Sequence, residues 1–396
     1  MKICIINNLY PPYARGGAEQ VVKRTVDGLL QVGHEVVLIT STPEGGWKET
    51  DDKLKIYRIK PKNIFFYTQA HERNVFMRLL WHFFDIFHFG SARYIERILK
   101  EEKPDVVHTH NLMGIGFLIP RVIRKLKIHH VHTVHDVQLV EPSGIILKTK
   151  EKSWRYNGLP TKIYTWIMKK LFASPEVVIS PSQFLLDFYN ERGFFEGSHK
   201  ILVRNPLTLD FGKEKLETRN LKLGNTNNEL NFLYLGQIEK HKGVFLLVDA
   251  FRHIQNAKLH IVGGGSQLDD LKNQADDNVQ FYGRVDREKL PELFQKMDVT
   301  VVPSLCYENS PTVIFESLYF GVPVLASRIE GVVELIREGE NGFTFEAGNA
   351  ESLQEKLQWC VKNRDGITNM STKIPTQDRP EGEYVEKLLN LYSSRL

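Results

Sequence analysis

Residues 298–326 read DVTVVPSLCYENSPTVIFESLYFGVPVLA. Asp298 to Pro303 is a nearly unbroken run of β-branched apolar residues, the pattern of a strand covered on both faces in a parallel sheet. Ser310 suits an N-cap and Pro311 the first helical position, Gly321 and Pro323 close the helix, and Val322 to Ala326 resume as a strand. The stretch is therefore one βαβ unit, with a loop at the carboxyl end of its first strand, where open α/β sheets bind ligands. Thr312, Val313 and Ile314 place no acidic side chain in the first turn, so the unpaired amides and positive dipole end suit an anion. Glu308 precedes that anion position and Glu316 follows it. Two glutamates taken alone are usually solvated surface residues; beside a polyanion they are useful as acceptors for sugar and ribose hydroxyls.

Upstream, the same alternation repeats. Strands are expected at 231–235, 258–262 and 279–282, and helices at 243–254, 266–275 and 286–296. Glycine turns fall at Gly236–Gly243, at Gly263-Gly264-Gly265-Ser266 and at Gly283-Arg284. None has P-loop spacing, but together with the bare helix start they offer backbone donors and little bulk, as a nucleotide diphosphate needs. Lys242, beside a glycine at a strand-to-helix turn, can reach a phosphate, whereas Lys240 has more reason to face solvent.

The polar run 205–230, ending in GNTNNE, marks a domain junction. Before it lies another α/β series, with strands expected at 2–7, 35–40, 54–59, 105–110, 129–134, 177–180 and 200–203. Gly16-Gly17 opens its first helix, and further helices are expected at 115–127 and 182–192. The chain thus reads as two doubly wound Rossmann-like domains, 1–204 and 205–375, facing across a cleft.

Composition agrees with a globular chain: 396 residues, 42% hydrophobic and 25% charged. Met1-Lys2 runs directly into a strand-like segment, and no apolar run reaches bilayer length. Three scattered cysteines fit a reducing cytoplasm. Charge is uneven: residues 1–204 hold 30 Lys and Arg against 20 Asp and Glu, and the remainder 22 against 28. A basic first half suits an anionic partner such as a membrane surface, or simply a soluble surface.

Two aromatic segments bear on that choice. In 64–100 a helical reading aligns Phe76, Leu79, Leu80, Phe83, Phe84 and Phe87 on one broad face, which is ordinarily core and otherwise a face for a membrane. Residues 148–170 carry seven basic residues against one acidic, with Trp154, Tyr156, Tyr164 and Trp166 interleaved. No recognised nucleic-acid motif accompanies them. Six histidines lie between His108 and His135, on two separate strands and without HExxH spacing, so no metal site is expected. His135, at a strand's carboxyl end, is the one placed for chemistry.

In their order and spacing these features resemble the retaining GT-B glycosyltransferases of family 4. The match rests on Glu308-x7-Glu316 with Gly321-Val322-Pro323-Val324, and on Pro11-Pro12 with Gly16-Gly17. DVVHTHN at 105–111, His135-Asp136, Asn205-Pro206 and Gly236…Lys242-Gly243 complete it. The resemblance implies hexosyl transfer from a UDP- or GDP-linked sugar to a glycan or lipid-linked acceptor, in cell-surface polysaccharide or glycolipid synthesis. It implies no cofactor and no metal, and no Asp-x-Asp occurs in the chain. By the same resemblance His135 and Glu308 contact the donor sugar, and Lys242 neutralises the leaving diphosphate. Gly16, Gly17, Asn309, Ser310, Thr312 and Val313 lie at the donor phosphates. Glu316 takes the ribose, and Gly264, Gly283, Arg284 and Val285 lie along the nucleoside. The family commonly carries Arg where Gln237 stands here, which leaves Lys242 the main cation. The helix at 376–396 is expected to return to the first domain, and the enzyme to work in the cytoplasm at the inner face of an anionic membrane. A non-hydrolysing nucleotide-sugar epimerase and a non-catalytic sugar- or membrane-binding relic are the alternatives on this architecture.

Overall fold

The structure, a computed structural model, describes residues 1–14, 16–209, 229–374 and 381–394. The chain forms two compact units: Met1–Ile145 with Lys152–Pro206 and Pro380–Leu396, and Ile146–Glu151 with Leu207–Arg379. A single boundary at Arg204 therefore needs correction, because Ile146–Glu151 goes with the second unit. The cause is local pairing. Leu147 bridges antiparallel to Cys306, the Lys148 amide donates to the Leu305 carbonyl (2.9 Å), and the Tyr307 amide to the Ile146 carbonyl (2.9 Å).

In the first unit, β1 (Lys2–Ile6), β2 (Glu35–Ser41), β3 (Trp47–Asp51), β4 (Leu54–Ile59), β5 (Val106–Thr109), β6 (His129–Thr133), β7 (Val177–Ser180) and β8 (His199–Leu202) form one sheet. Its order is β3-β4-β2-β1-β5-β6-β7-β8. Every pairing is parallel except β3 on β4. The strand β3 has no counterpart in the hydrophobic pattern, since all of WKETD is exposed at the sheet edge. Ile3, Ile5, Val36, Leu38, Val106, Val131 and Val177 pack with Val22 and Val26 of helix Gly17–Gln31. Val385, Leu388, Leu391 and Tyr392 of helix Glu381–Ser393 close the same core.

In the second unit, β9 (Leu230–Leu235), β10 (Ala257–Val262), β11 (Val279–Gly283), β12 (Val299–Val302), β13 (Val324–Ser327) and β14 (Gly342–Phe345) form a parallel sheet in the order β11-β10-β9-β12-β13-β14. The order reverses between β9 and β12, the place where open α/β sheets carry a ligand crevice beyond the carboxyl ends of their strands. Helices are shorter than the periodicity suggests: Leu268–Lys272 and Leu290–Phe294 occupy the middle of their expected ranges. In the first unit the helix at 115–127 begins only at Ile119. Most of the polar junction, 210–228, lies outside the described residues.

Candidate functional site

The crevice of the second unit is built by two loops that approach closely. After β9 the chain turns through Gly236, makes a 3-10 turn at Lys240–Lys242 and enters helix Val244–Phe251 through Gly243 at φ +72°. A Cβ on Gly243 would stand 1.7 Å from the Pro303 carbonyl oxygen. Only glycine accommodates both that backbone and that contact. The approach brings Lys242 Nζ to 2.6 Å from Glu308 Oε1, and Ser304 Oγ donates to the same oxygen at 2.8 Å. Burial disfavours the Lys242 charge, but the Glu308 carboxylate outweighs it and holds the ammonium above its ordinary pKa. The backbone of Glu308 and Asn309 lies against Gly331, at φ +79°, where a Cβ would come within 2.3 Å and 2.5 Å of their carbonyl oxygens.

The helix beyond begins one residue later than the sequence suggests. It runs Thr312–Tyr319 with Pro311 at the N-cap, and no side chain caps it, so Ser310 does not play that part. Pro311 holds ψ at 120°, outside the helical range, and this moves the boundary. No acidic side chain occupies the first turn. Ser310 and Asn309 are buried beside it, and Val313 packs into the apolar cluster of Leu233, Val262 and Phe294.

Glu316 is 2% exposed. Its Oε1 accepts from Thr208 Oγ1 and from Arg287 Nη2, the latter at 2.6 Å. A carboxylate has about four acceptor positions, so capacity remains for a hydroxyl. Arg284 lies across Gly264, its Nε 3.1 Å from where a Cβ would stand, while Gly283 has open space around it and Val285 packs inward. The loop carrying Glu308 is braced from behind by the 146–151 segment: Tyr307 Oη donates to Glu151 at 2.8 Å, and Lys148 pairs with Glu151 and Glu330.

In the first unit the corresponding reversal lies between β1 and β5. Gly16 is the N-cap of its helix and Gly17 the first helical residue, but the Gly16 amide already donates to the Glu19 carboxylate at 2.7 Å. That helix start supplies its own anion, so a phosphate at Gly16 must displace Glu19. Beyond β6, His135 Nε2 stands 2.9 Å from His110 Nδ1, in a small pocket lined also by Asn111, Thr133 and Asp136. Burial pushes the His135 imidazole down to about 4 and the Asp136 carboxyl up to about 6. The other histidines are spent on structure. His108 bonds Tyr392 and Thr133, both at 2.7 Å, and Thr109 Oγ1 bonds His130 (2.8 Å) and His132 (2.9 Å).

A donor-rich crevice in one parallel-sheet unit and a histidine-bearing one in another can be compared with known proteins. Residues 15–206 match the family model for Glycosyltransferase Family 4, and residues 217–377 match Glycosyl transferases group 1. The chain belongs to the group 1 glycosyltransferases. An uncharacterized 42.6 kDa protein in the cps region of Klebsiella pneumoniae is 27% identical over 85% of this glycosyltransferase and 88% of its own length. The Escherichia coli UDP-Gal:alpha-D-GlcNAc-diphosphoundecaprenol alpha-1,3-galactosyltransferase is 25% identical over 74% and 78%. Among solved structures, Anabaena HepE in complex with UDP and glucose superposes with a TM-score of 0.71 at 16% identity, covering 100% of both chains. The fold of this glycosyltransferase is GT-B.

Within the glycosyltransferase, the second unit gathers Lys242, Glu308, Asn309, Ser310 and Thr312 at one reversal of strand order and sets Glu316 one and a half turns into the helix that follows. Gly264 and Arg284 form a separate wall beyond β10 and β11. His135, Gly16 and Gly17 belong to the first unit. Sequence reasoning missed Arg287, Thr208 and Gly331. Arg287 sits in a polar 3-10 turn whose own spacing gives no sign of Glu316, and Gly331 follows a strand with no motif around it.

Proposed function

We propose that this glycosyltransferase moves a hexosyl unit from a UDP- or GDP-linked sugar to a hydroxyl of a glycan or lipid-linked acceptor. In this reading the anomeric configuration is retained, no metal ion is needed, and the work is done on the cytoplasmic side of an anionic membrane, in cell-surface polysaccharide or glycolipid synthesis. The observation that carries the reading is the Lys242–Glu308 pair at the β9/β12 reversal, next to an uncapped helix start. A charged lysine and unpaired amides are what a departing diphosphate requires, and a carboxylate beside them suits sugar hydroxyls. The E. coli relative's name, with a UDP-sugar and a diphosphoundecaprenol-linked acceptor, supports the substrate classes.

Departure of the nucleoside diphosphate leaves positive character on the sugar ring and negative charge on the phosphate. Donors fixed before the reaction stabilise that charge without reorganisation. Lys242 and the amides of Asn309, Ser310, Thr312 and Val313 fill that role, with Gly16 and Gly17 as further phosphate contacts once Glu19 is displaced. Glu308 holds donor hydroxyls, and His135, neutral at physiological pH, is assigned to the donor sugar. Glu316 takes the ribose, and Gly264, Gly283, Arg284 and Val285 flank the nucleoside. The acceptor hydroxyl attacks from the face the leaving group vacates, its proton passing to the departing phosphate oxygen.

The test is a thermal-shift screen of nucleotide sugars, followed by transfer from the best donor to lipid-linked acceptors in EDTA. The expected result is undiminished transfer with an unchanged anomeric configuration by NMR. Strict dependence on an added divalent ion would overturn the metal-free reading, and an epimerised donor formed without acceptor would replace transfer by isomerisation.

A further inference from the structure

The aromatic stripe that a helical pattern would normally bury is on the outside. Helix Val75–Ile86 turns Trp81, Asp85 and Ile86 inward. Trp81 is 1% exposed, donates from Nε1 to the Phe65 carbonyl at 2.7 Å and stacks on the Phe65 ring at 5.7 Å. Asp85 accepts from the Gly114 amide at 2.9 Å. On the opposite face Phe76, Leu79 and Phe83 are 68%, 64% and 58% exposed, with Val75, Leu80, Phe84 and Phe87 beside them. Packing within the unit does not use this face. Contiguous apolar surface of that extent on a globular protein marks an interaction site.

A second helix has the same habit. Leu159–Phe172 buries Tyr164, Met168, Leu171 and Phe172 and exposes Leu159, Ile163 and Trp166, while Trp154 just before it is 73% exposed. Phe117 joins the two supports: its amide donates to the Asp85 carbonyl at 3.4 Å, and its ring lies 6.2 Å from that of Phe172. Both helices therefore rest on the same part of the first unit.

We propose that the outer faces of Val75–Ile86 and Leu159–Phe172, with Trp154, dock the first unit by inserting apolar side chains at the headgroup–acyl boundary of an anionic bilayer. This deepens the membrane reading given under Proposed function and rests on it. Charge selects the occupant. The charged side chains exposed on the two helices include Arg78, Lys162 and Lys170, all basic; the acid of the first helix, Asp85, points inward, and Trp154–Lys170 contains no Asp or Glu. A second copy of this face would set those cations against each other, which an isologous contact does not tolerate well. Phe, Leu and Trp interleaved with Lys and Arg is the composition of helices that lie in the plane of an anionic interface. Among the described residues no helix is long and apolar enough to cross a membrane. Lys148 takes no part, because it is paired with Glu151 and Glu330 in the second unit. The distinction from simple electrostatic adhesion is that part of the binding survives high salt, since screening weakens the ionic contribution and not the burial of apolar surface.

The full chain is sedimented with phosphatidylglycerol-containing vesicles and with pure phosphatidylcholine vesicles, at low and high salt. Three proteins are compared: the natural chain, the triple variant Phe76→Ser/Leu79→Ser/Phe83→Ser and the double variant Lys162→Gln/Lys170→Gln. Each substitution is at an exposed position, and an unchanged thermal-shift response to UDP verifies folding. The natural chain should prefer anionic vesicles and keep measurable binding in high salt, with a blue shift of tryptophan emission. The triple variant should lose at least about a hundredfold in partitioning under both conditions. The double variant should lose roughly tenfold or more at low salt and little at high salt. Vesicle binding by the triple variant equal to that of the natural chain overturns the proposal. So does binding abolished entirely by salt, or a dimer that the triple variant dissolves without any vesicle binding. Sugar transfer to a soluble acceptor by a chain that ignores vesicles rejects this docking surface and leaves the transferase reading standing; vesicle binding without transfer does the reverse.

Discussion

Lys242 Nζ and Glu308 Oε1 are 2.6 Å apart, although 66 positions separate the residues. The pair forms because two loops leave adjacent strands at the point where strand order reverses, and Gly243 lets them touch. In the function proposed above, a diphosphate arriving there would compete with Glu308 for the ammonium and free the carboxylate for hydroxyls. Lys242→Ala is expected to lower kcat by about two to three orders of magnitude, the usual cost of removing one fixed donor at a developing oxyanion, with partial recovery in Lys242→Arg. Glu308→Ala should abolish turnover and leave thermal unfolding and circular dichroism near those of the natural chain. Near-normal transfer by Glu308→Ala would remove it from the site.

Glu316 gives a different signature. Its partner Arg287 is partly exposed, so the pair stabilises the fold only modestly, about 1 kcal/mol after allowing for solvent screening. Glu316→Gln keeps the side-chain volume and is expected to raise KM for the nucleotide sugar about tenfold, with a smaller change in kcat. Arg287→Gln should raise KM less, since it loosens the carboxylate and leaves it in place. Equal kcat losses with unchanged KM would contradict a ribose-side role.

Gly243→Ala tests the loop approach itself. The methyl would meet the Pro303 carbonyl oxygen at 1.7 Å and hold a positive φ. The expected cost is above about 2 kcal/mol, seen as a lowered urea midpoint, with nucleotide-sugar affinity falling in parallel. Gly283→Ala meets open space and pays only for its φ of +66°, so it should cost less.

Stability should fall on mild acidification. Burial holds His108, His110, His130, His132 and His135 below their ordinary pKa, so they stay neutral in the fold while the unfolded chain protonates them below about 6.5. The unfolded state then binds more protons, so each such group withdraws stability as the pH falls from 7 to 5. Asp85, raised to about 8 by burial, and Asp136, raised to about 6, act oppositely, since the fold keeps their protons. Five groups against two leave a net loss, visible as a lower Tm at pH 5 than at pH 7. An unchanged Tm would mean that the ring network takes up protons without breaking.

Most strands of the two sheets were legible because buried parallel strands are largely apolar, as in Val299–Val302 and Val177–Ser180, but β14 (Gly342–Phe345) was not read. The exposed edge β3, with its sequence WKETD, carries no such mark. Glycine positions revealed the turns but not which loop each would meet. Glu308 and Glu316 could be found by spacing, whereas Arg287 reaches Glu316 only through the fold. The stripe from Phe76 to Phe87 left two readings open for a physical reason: periodicity shows that a helix has an apolar face and not which way it turns, and here Trp81 and Asp85 hold the other face inward. Ser310 as a cap failed because Pro311 kept an extended ψ.

The helix Glu381–Ser393 contributes Val385, Leu388, Leu391 and Tyr392 to the core of the first unit, and Tyr392 Oη is bonded to His108 within it. On a ribosome, the unit that emerges first is thus the one whose interior is finished last, after the whole of the second unit has been made. Domains released early usually fold as they appear; this one must wait with its β5–β6 histidines uncovered. Cutting the chain after Pro206 to obtain the first unit alone would reproduce that waiting state rather than a domain.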